Sequence, residues 1–211
     1  MVAALKSSTS LHCAKSVNSV NPAMTIADKL RRTDISAYLL FMWNIEDVVR
    51  VYNLDFDRID AEYIAKFPEE ERDATRDWME NIVKMMQLEN VRRHGHLQIN
   101  KNVLIRLNDL HRELLKSPKF PEYGAEFYRT LPYIVELRAK AGDNPADEIE
   151  TCFNALYGTM LLRMQGKEVS EGTNQAVQQI TKFINMLSRF FMLNEKKPIF
   201  EDDPDVADAN A

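Results

Sequence analysis

The stretch DISAYLLFMWNIEDVVRVY, residues 34–52, decides the fold class. Its apolar residues recur at the spacing of one helix face: Tyr38, Phe41, Met42, Ile45, Val48, Val49 and Tyr52. This spacing predicts a helix over about Asp34–Tyr52, which Thr33 or Asp34 can cap. Leu39, Leu40 and Trp43 fill the other sides of its first half, so we expect this helix at the centre of the molecule or in an interface.

Other parts of the chain show the same helical spacing. The most regular pattern joins Ile149, Cys152, Phe153, Leu156, Tyr157, Met160, Leu161 and Met164. Predicted helices cover approximately residues 57–67, 69–94, 100–116, 122–141, 145–164 and 171–191. Gly95 is the expected C-cap of the second of these and Asn100 the expected N-cap of the third, while Pro132 either bends its helix or starts a new one. No strand pattern competes.

Helices with one broad apolar face can hide those faces only against one another. The sequence therefore predicts an all-α protein, a single compact bundle of about six to eight helices with disordered ends. We expect a leader over residues 1–23, the bundle over 24–194 and an acidic tail over 195–211. Met24 opens the patterned region, which leaves open whether translation starts there.

Composition and charge exclude several classes of protein. The 211 residues include 27 Lys and Arg against 32 Asp and Glu, a net charge of −5, so nucleic acid is a poor default partner. The longest stretches without a charged residue are Ser16–Ala27 and Thr151–Leu162, far short of the ~20 residues that a membrane helix needs. Two distant cysteines, Cys13 and Cys152, and the absence of a secretory signal favour the cytoplasm.

The densest polar cluster is Arg92, Arg93, His94 and His96, followed by Lys101. Two imidazoles one residue apart can share a metal ion or titrate together, and the cations can hold a phosphate. The same residues also fit a helix end, since cations in a last turn complement the helix dipole. We expect the structural role, with ligand binding by these five residues as the alternative.

Two arginines begin close to apolar stripes and need partners. Arg138 follows Ile134 by one helical turn, and Arg163 follows Leu156 by two. Glu46 and Glu150 are among the available acceptors on neighbouring helices, so the sequence predicts a buried ion network of Glu46, Arg138, Glu150 and Arg163. The arginines snorkelling to water, or the floor of a small-anion pocket, are the alternatives.

No catalytic constellation stands out. The sequence has no phosphate-binding loop, no HExxH or CxxC pair and no Glu-x-x-His pair, and we predict neither a cofactor nor a metal. The preferred hypothesis is a non-enzymatic, cytoplasmic protein-interaction module, expected to be a homodimer through residues 38–43. The ten methionines, Met160 and Met164 among them, fit either a binding groove or gap-filling in the core.

Two other functions stay open. One is a small-molecule or metal-dependent enzyme that uses the turn with His94 and His96. The other is RNA contact through Arg92, Arg93 and Lys101.

Four stretches resemble one bacterial family of unknown function, found mainly in Bacteroidetes. They are ISAYLLFMWNIEDVVRVYNLD at 35–55, GHLQINKN at 95–102, LPYIVELRAKAG at 131–142 and EIETCFNALYGTMLLRMQGKEVS at 148–170. The resemblance covers about residues 24–191. It implies a compact, cytoplasmic, all-helical protein and transfers no activity, cofactor or catalytic residue.

Overall fold

The computed structural model describes residues 22–142 and 146–200. The fold is all-α, as predicted, and these residues form no strand. Within the described residues, a short 3-10 turn, Ile64–Lys66, follows the third of eight α-helices: α1 Pro22–Thr33, α2 Ile35–Val51, α3 Phe56–Glu62, α4 Glu69–Leu88, α5 Gln98–Lys116, α6 Pro121–Lys140, α7 Glu148–Met164 and α8 Glu171–Lys196. None of the described helices is long and apolar enough to cross a bilayer.

α2 lies at the centre of the bundle and packs against α1, α4, α5 and α8. Tyr38, Leu39, Met42 and Trp43 are each at most 5% exposed. Apolar side chains on nearly every side of α2 therefore cover neighbours within the same chain. Of the two places expected for this helix, the structure shows the centre. The four buried residues therefore do not argue for a dimer, while Leu40 and Phe41 of the same segment are partly exposed.

Asp34 caps α2, as predicted. Its Oδ1 accepts hydrogen bonds from the backbone N–H groups of Ser36 and Ala37, at 3.0 and 3.1 Å, and from Ser188 Oγ of α8 at 2.9 Å. Burial alone would raise the pKa of Asp34, but these hydrogen bonds outweigh it and lower the pKa. The cap thus also fixes the start of α2 against α8.

The predicted end of α4 is wrong. The helix stops at Leu88 rather than about residue 94, and Asn90 takes the left-handed conformation with φ 56°. Val91 N–H donates to Met86 O and Asn90 N–H to Gln87 O, which is the Schellman arrangement. Val91 is buried beside the helix end. Asn90 therefore forms the C-cap that was predicted at Gly95, and Gly95 lies in the following loop.

Other boundaries also differ from the expectations. Pro132 lies inside a continuous α6, so it does not start a new helix. α8 continues through Glu195, the predicted first residue of the acidic tail, and Phe200 packs against Phe120 with ring centroids 5.7 Å apart. Residues 1–21 of the predicted leader and 201–211 of the predicted tail lie outside the described residues.

Candidate functional site

A buried carboxylate organises the most polar part of the interior. Glu46 of α2 is 0% exposed. Its Oε1 accepts from Leu97 N–H at 2.9 Å and from Asn100 Nδ2 at 2.7 Å, and its Oε2 lies 2.6 Å from His96 Nδ1. Arg50, one turn further along α2, places Nη2 3.8 Å from Oε2. We call Glu46, Arg50, His96 and Asn100 the polar centre.

Glu46 acts as a helix cap supplied by another helix. α5 begins at Gln98, and its N-cap residue Leu97 has no side chain that can accept a hydrogen bond. The first N–H groups of a helix need acceptors, and a negative charge there is favourable. Asn100, expected as the N-cap, instead lies in the first turn and directs its amide at Glu46. The polar centre thus joins α2 to the start of α5.

Arg50 fastens the loop of residues 89–97 to α2. Its Nη2 donates to the backbone carbonyls of Gly95 and Val91, and its Nη1 donates to Asp47 at 2.7 Å. The second oxygen of Asp47 accepts from Tyr157 OH of α7 at 2.6 Å. Burial, and then this hydrogen bond, raise the pKa of the Tyr157 phenol. Polar side chains therefore connect three segments that lie far apart in sequence.

His96 closes the polar centre towards solvent. Its ring stacks on Trp43 with centroids 4.0 Å apart and planes 10° apart, and 21% of its side chain is exposed. Because Nδ1 is tied to Glu46, Nε2 is the ring nitrogen left for a ligand. An imidazole oriented by a carboxylate is the arrangement used by many general bases and metal ligands.

A small cavity of about 230 Å³ lies beside His96. Besides His96, two polar residues of its lining have internal partners. Asn108 Nδ2 donates to Asp147 Oδ2 at 2.9 Å, and Asp147 Oδ1 caps α7 by accepting from Glu150 N–H at 2.8 Å. The lining residues are Gly95, His96, Lys101, Leu104, Ile105, Asn108, Asp147 and Glu150. Within residues 22–142 and 146–200, no group of three or more His, Cys, Asp and Glu side chains is arranged to hold a metal ion.

The five residues of the predicted ligand cluster do not converge. His96 and Lys101 line the cavity, whereas Arg92, Arg93 and His94 are exposed in the loop and do not line it. These three residues come after the end of α4, so the expected helix-end role of their charges does not apply. His94 therefore does not share a site with His96.

The four residues of the predicted ion network also lie apart. Glu46 belongs to the polar centre, Arg138 pairs with Glu148 at 2.9 Å, and Arg163 donates to Asn174 at 2.9 Å while largely exposed. Glu150 lines the cavity beside His96. Of these four residues, only Glu46 is buried.

A larger concavity, which is mostly apolar, lies elsewhere. It measures about 550 Å³ and runs between the first half of α2 and the second half of α7, with α8 as its floor. Leu40, Met160 and Met164 line its walls, and Ile184 lies on the floor. Met164 is 68% exposed and Leu162, on the same helix, 38%. We call this concavity the α2–α7 groove.

Residues 24–198 match the family model described as Domain of unknown function (DUF4924). The chain belongs to this family. Neither a curated protein nor a solved structure matches the chain significantly. The DUF4924 match confirms the resemblance to a family of unknown function, and its description assigns no role to any residue.

Sequence reasoning missed most of the polar centre of this DUF4924 protein. Trp43 and Tyr157 were predicted only as members of helix patterns, and no role was predicted for Arg50. One signal was present: Glu46 follows Met42 by four positions and Leu39 by seven, which places a carboxylate on a buried stripe. A buried charge needs partners, but the partner histidine lies 50 residues away and no spacing rule connects the two.

Proposed function

We propose that this protein is a non-enzymatic, cytoplasmic interaction module that forms a homodimer through the α2–α7 groove. The observation that carries the proposal is the groove itself, an open and largely apolar concavity whose exposed methionine stands at its edge. Methionine side chains are flexible and adapt to a partner's shape. The polar centre supports the same choice, because both oxygens of Glu46 are already used by the protein.

A second copy of the chain is the partner that the groove fits. Leu162 and Met164 are exposed on the same helix that forms one wall of the groove. In a twofold dimer each protomer would place these side chains against the other's groove. The same surface of each protomer would then supply both the inserted side chains and the groove that receives them. A stable dimer buries about 800 Å² on each protomer, so the surface around the groove would also take part.

Light scattering after size exclusion tests the dimer at a chain concentration of about 50 µM. We expect twice the 24.4 kDa chain mass for the unmodified protein and the single-chain mass for Met164→Glu, since a charge would have to be buried in the interface. Leu88→Glu is the matched control, because Leu88 is 82% exposed on α4, outside the groove. A monomeric unmodified protein contradicts the proposal. A dimeric Met164→Glu variant also contradicts it, because the interface then lies on another surface.

The cavity beside His96 supports a second candidate, binding of a small molecule. Nε2 of His96 and Lys101 would supply its polar contacts. Ile105→Trp places a larger side chain at the lining of this cavity, where Ile105 is 54% exposed. In a thermal-shift screen of metabolites, compounds that stabilise the unmodified protein and not Ile105→Trp favour this function. A screen without such compounds counts against it.

A further inference from the structure

A third concavity, of about 460 Å³, lies where α1 and α2 meet α5 and α8. Its charged lining carries four cations against two acids: Arg31, Arg32, Arg106, Lys196, Asp28 and Glu195. This local excess of positive charge stands out in a chain whose net charge is −5. Concentrated charge of one sign in a concavity attracts a ligand of the opposite sign.

One arginine on each side of this concavity is held in place by an aromatic ring. The guanidinium of Arg31 lies 5.4 Å from the centre of the Tyr38 ring and donates to Tyr38 OH at 3.4 Å. The guanidinium of Arg106 lies 5.0 Å from the centre of the Phe191 ring. Tyr38 and Phe191 are both buried. Stacking of this kind orients a guanidinium before any ligand arrives, which lowers the entropy lost on binding.

Arg106 already binds one carboxylate of the protein. Arg106 Nη2 donates to the carboxylate of Glu195, which uses one of the nitrogens of this guanidinium. Nε and Nη1 of Arg106 have no partner among residues 22–142 and 146–200, and the same holds for the charged groups of Arg32 and Lys196. Several N–H donors therefore remain for a second anion.

We propose that this concavity binds a phosphorylated small molecule through Arg31 and Arg106. The planar fork of a guanidinium matches the oxygens of a phosphate, and two such forks with a lysine suit a ligand that carries at least two negative charges. The volume falls in the range of small-molecule sites. This anion site is separate from the α2–α7 groove and does not depend on the proposed dimer.

Calorimetric titration with inorganic pyrophosphate tests the anion site at low ionic strength. We expect saturable binding at one site that weakens as NaCl rises. Arg31→Gln and Arg106→Gln should each weaken binding about tenfold or more, since each change removes hydrogen-bond donors that carry charge. Glu195→Gln should strengthen binding, because it removes a competing carboxylate. Arg189→Gln is the control, an exposed arginine of α8 that does not line this concavity.

Several results overturn the proposal. Undetectable binding does so, as does an equal loss in Arg189→Gln, which would mean general attraction to positive charge. Deleting the acidic residues 201–211 gives a further check: if affinity for pyrophosphate then rises more than about tenfold, the chain's own carboxylates occupy the site. Arg31→Lys and Arg106→Lys keep the charge and lose the fork. Folded lysine variants, verified by circular dichroism, that bind as well as the unmodified protein also contradict it.

Discussion

Replacing Glu46 with leucine should destabilise the protein severely. Leucine fills a similar volume, so the change removes the hydrogen-bond acceptor without opening a large cavity. Leu97 N–H and Asn100 Nδ2 would then be buried donors without an acceptor, and each such group costs about 1–3 kcal/mol. His96 can turn towards solvent and adds little. We expect a loss of about 4 kcal/mol in the free energy of unfolding, a large part of the 5–15 kcal/mol typical of a domain.

Urea unfolding followed by far-UV circular dichroism measures this loss. Glu62→Leu is the control, since Glu62 forms an exposed ion pair with Arg58 and its removal should change the free energy of unfolding little. Hydrogen exchange should also accelerate at the Leu97 amide in Glu46→Leu. A loss below about 1 kcal/mol, or an unchanged exchange rate at Leu97, would refute the assignment of Glu46 as the cap of α5.

A double-mutant cycle separates the hydrogen bond from other effects. Asn100→Leu removes one of the two orphaned donors, and with it an Oδ1 atom that is buried without a partner in the described structure. The combined variant Glu46→Leu with Asn100→Leu should therefore cost at least about 1 kcal/mol less than the sum of the single losses. Additive losses would mean that the two side chains do not act together.

Three further predictions concern the rest of the molecule. Burial lowers the pKa of His111 to about 4, so between pH 6.5 and 4 the unfolded chain takes up a proton that the folded chain does not. Urea unfolding should therefore show that the free energy of unfolding falls by about 2.5 kcal/mol from pH 7 to 4.5, and His111→Phe should remove this fall. An equal fall in that variant would contradict the assignment. Cys152 is buried, and burial raises the pKa of its thiol. In a Cys13→Ser background this thiol should therefore react with a disulfide reagent only as fast as the protein unfolds. Rapid labelling would disprove its burial. Asn90→Ala should cost about 1 kcal/mol in chemical unfolding whereas Asn90→Gly costs a few tenths, because alanine resists the left-handed conformation; equal losses would contradict that account.

The fold class followed from local pattern, whereas several helix ends did not. Apolar spacing located α5 and α8 because each buries one continuous face. It also located α2, whose apolar residues surround the helix, and α7, although Met164 at the end of the α7 pattern is exposed. The end of α4 was misplaced because residues 89–94 are polar enough to continue a solvated helix and both Asn90 and Gly95 can adopt positive φ. Burial of Val91 against the helix end favours the earlier stop, and that is a tertiary contact.

The polar centre could be predicted only in part. Glu46 entered the sequence analysis only as a possible acceptor for Arg138 and Arg163, which lie on α6 and α7. Its actual partners, His96 and Asn100, come from a loop and a helix start about 50 residues away. A side chain that caps another helix leaves no local sequence signature, because the acceptor and the donors are brought together by packing alone.

The surroundings of Glu46 on α2 suit the polar centre to stabilising the fold rather than to catalysis. A general base needs a carboxylate–imidazole pair that faces a reacting atom, whereas Glu46 is enclosed and divides its two oxygens among three donors of the protein. These contacts come from the second half of α2, while the first half, with Leu40, forms a wall of the α2–α7 groove. If the groove is the interface, stability and binding are assigned to different turns of one helix. Met164→Glu should then abolish the dimer and leave each chain folded with the stability of the monomer, whereas Glu46→Leu should lower the stability of the monomer itself.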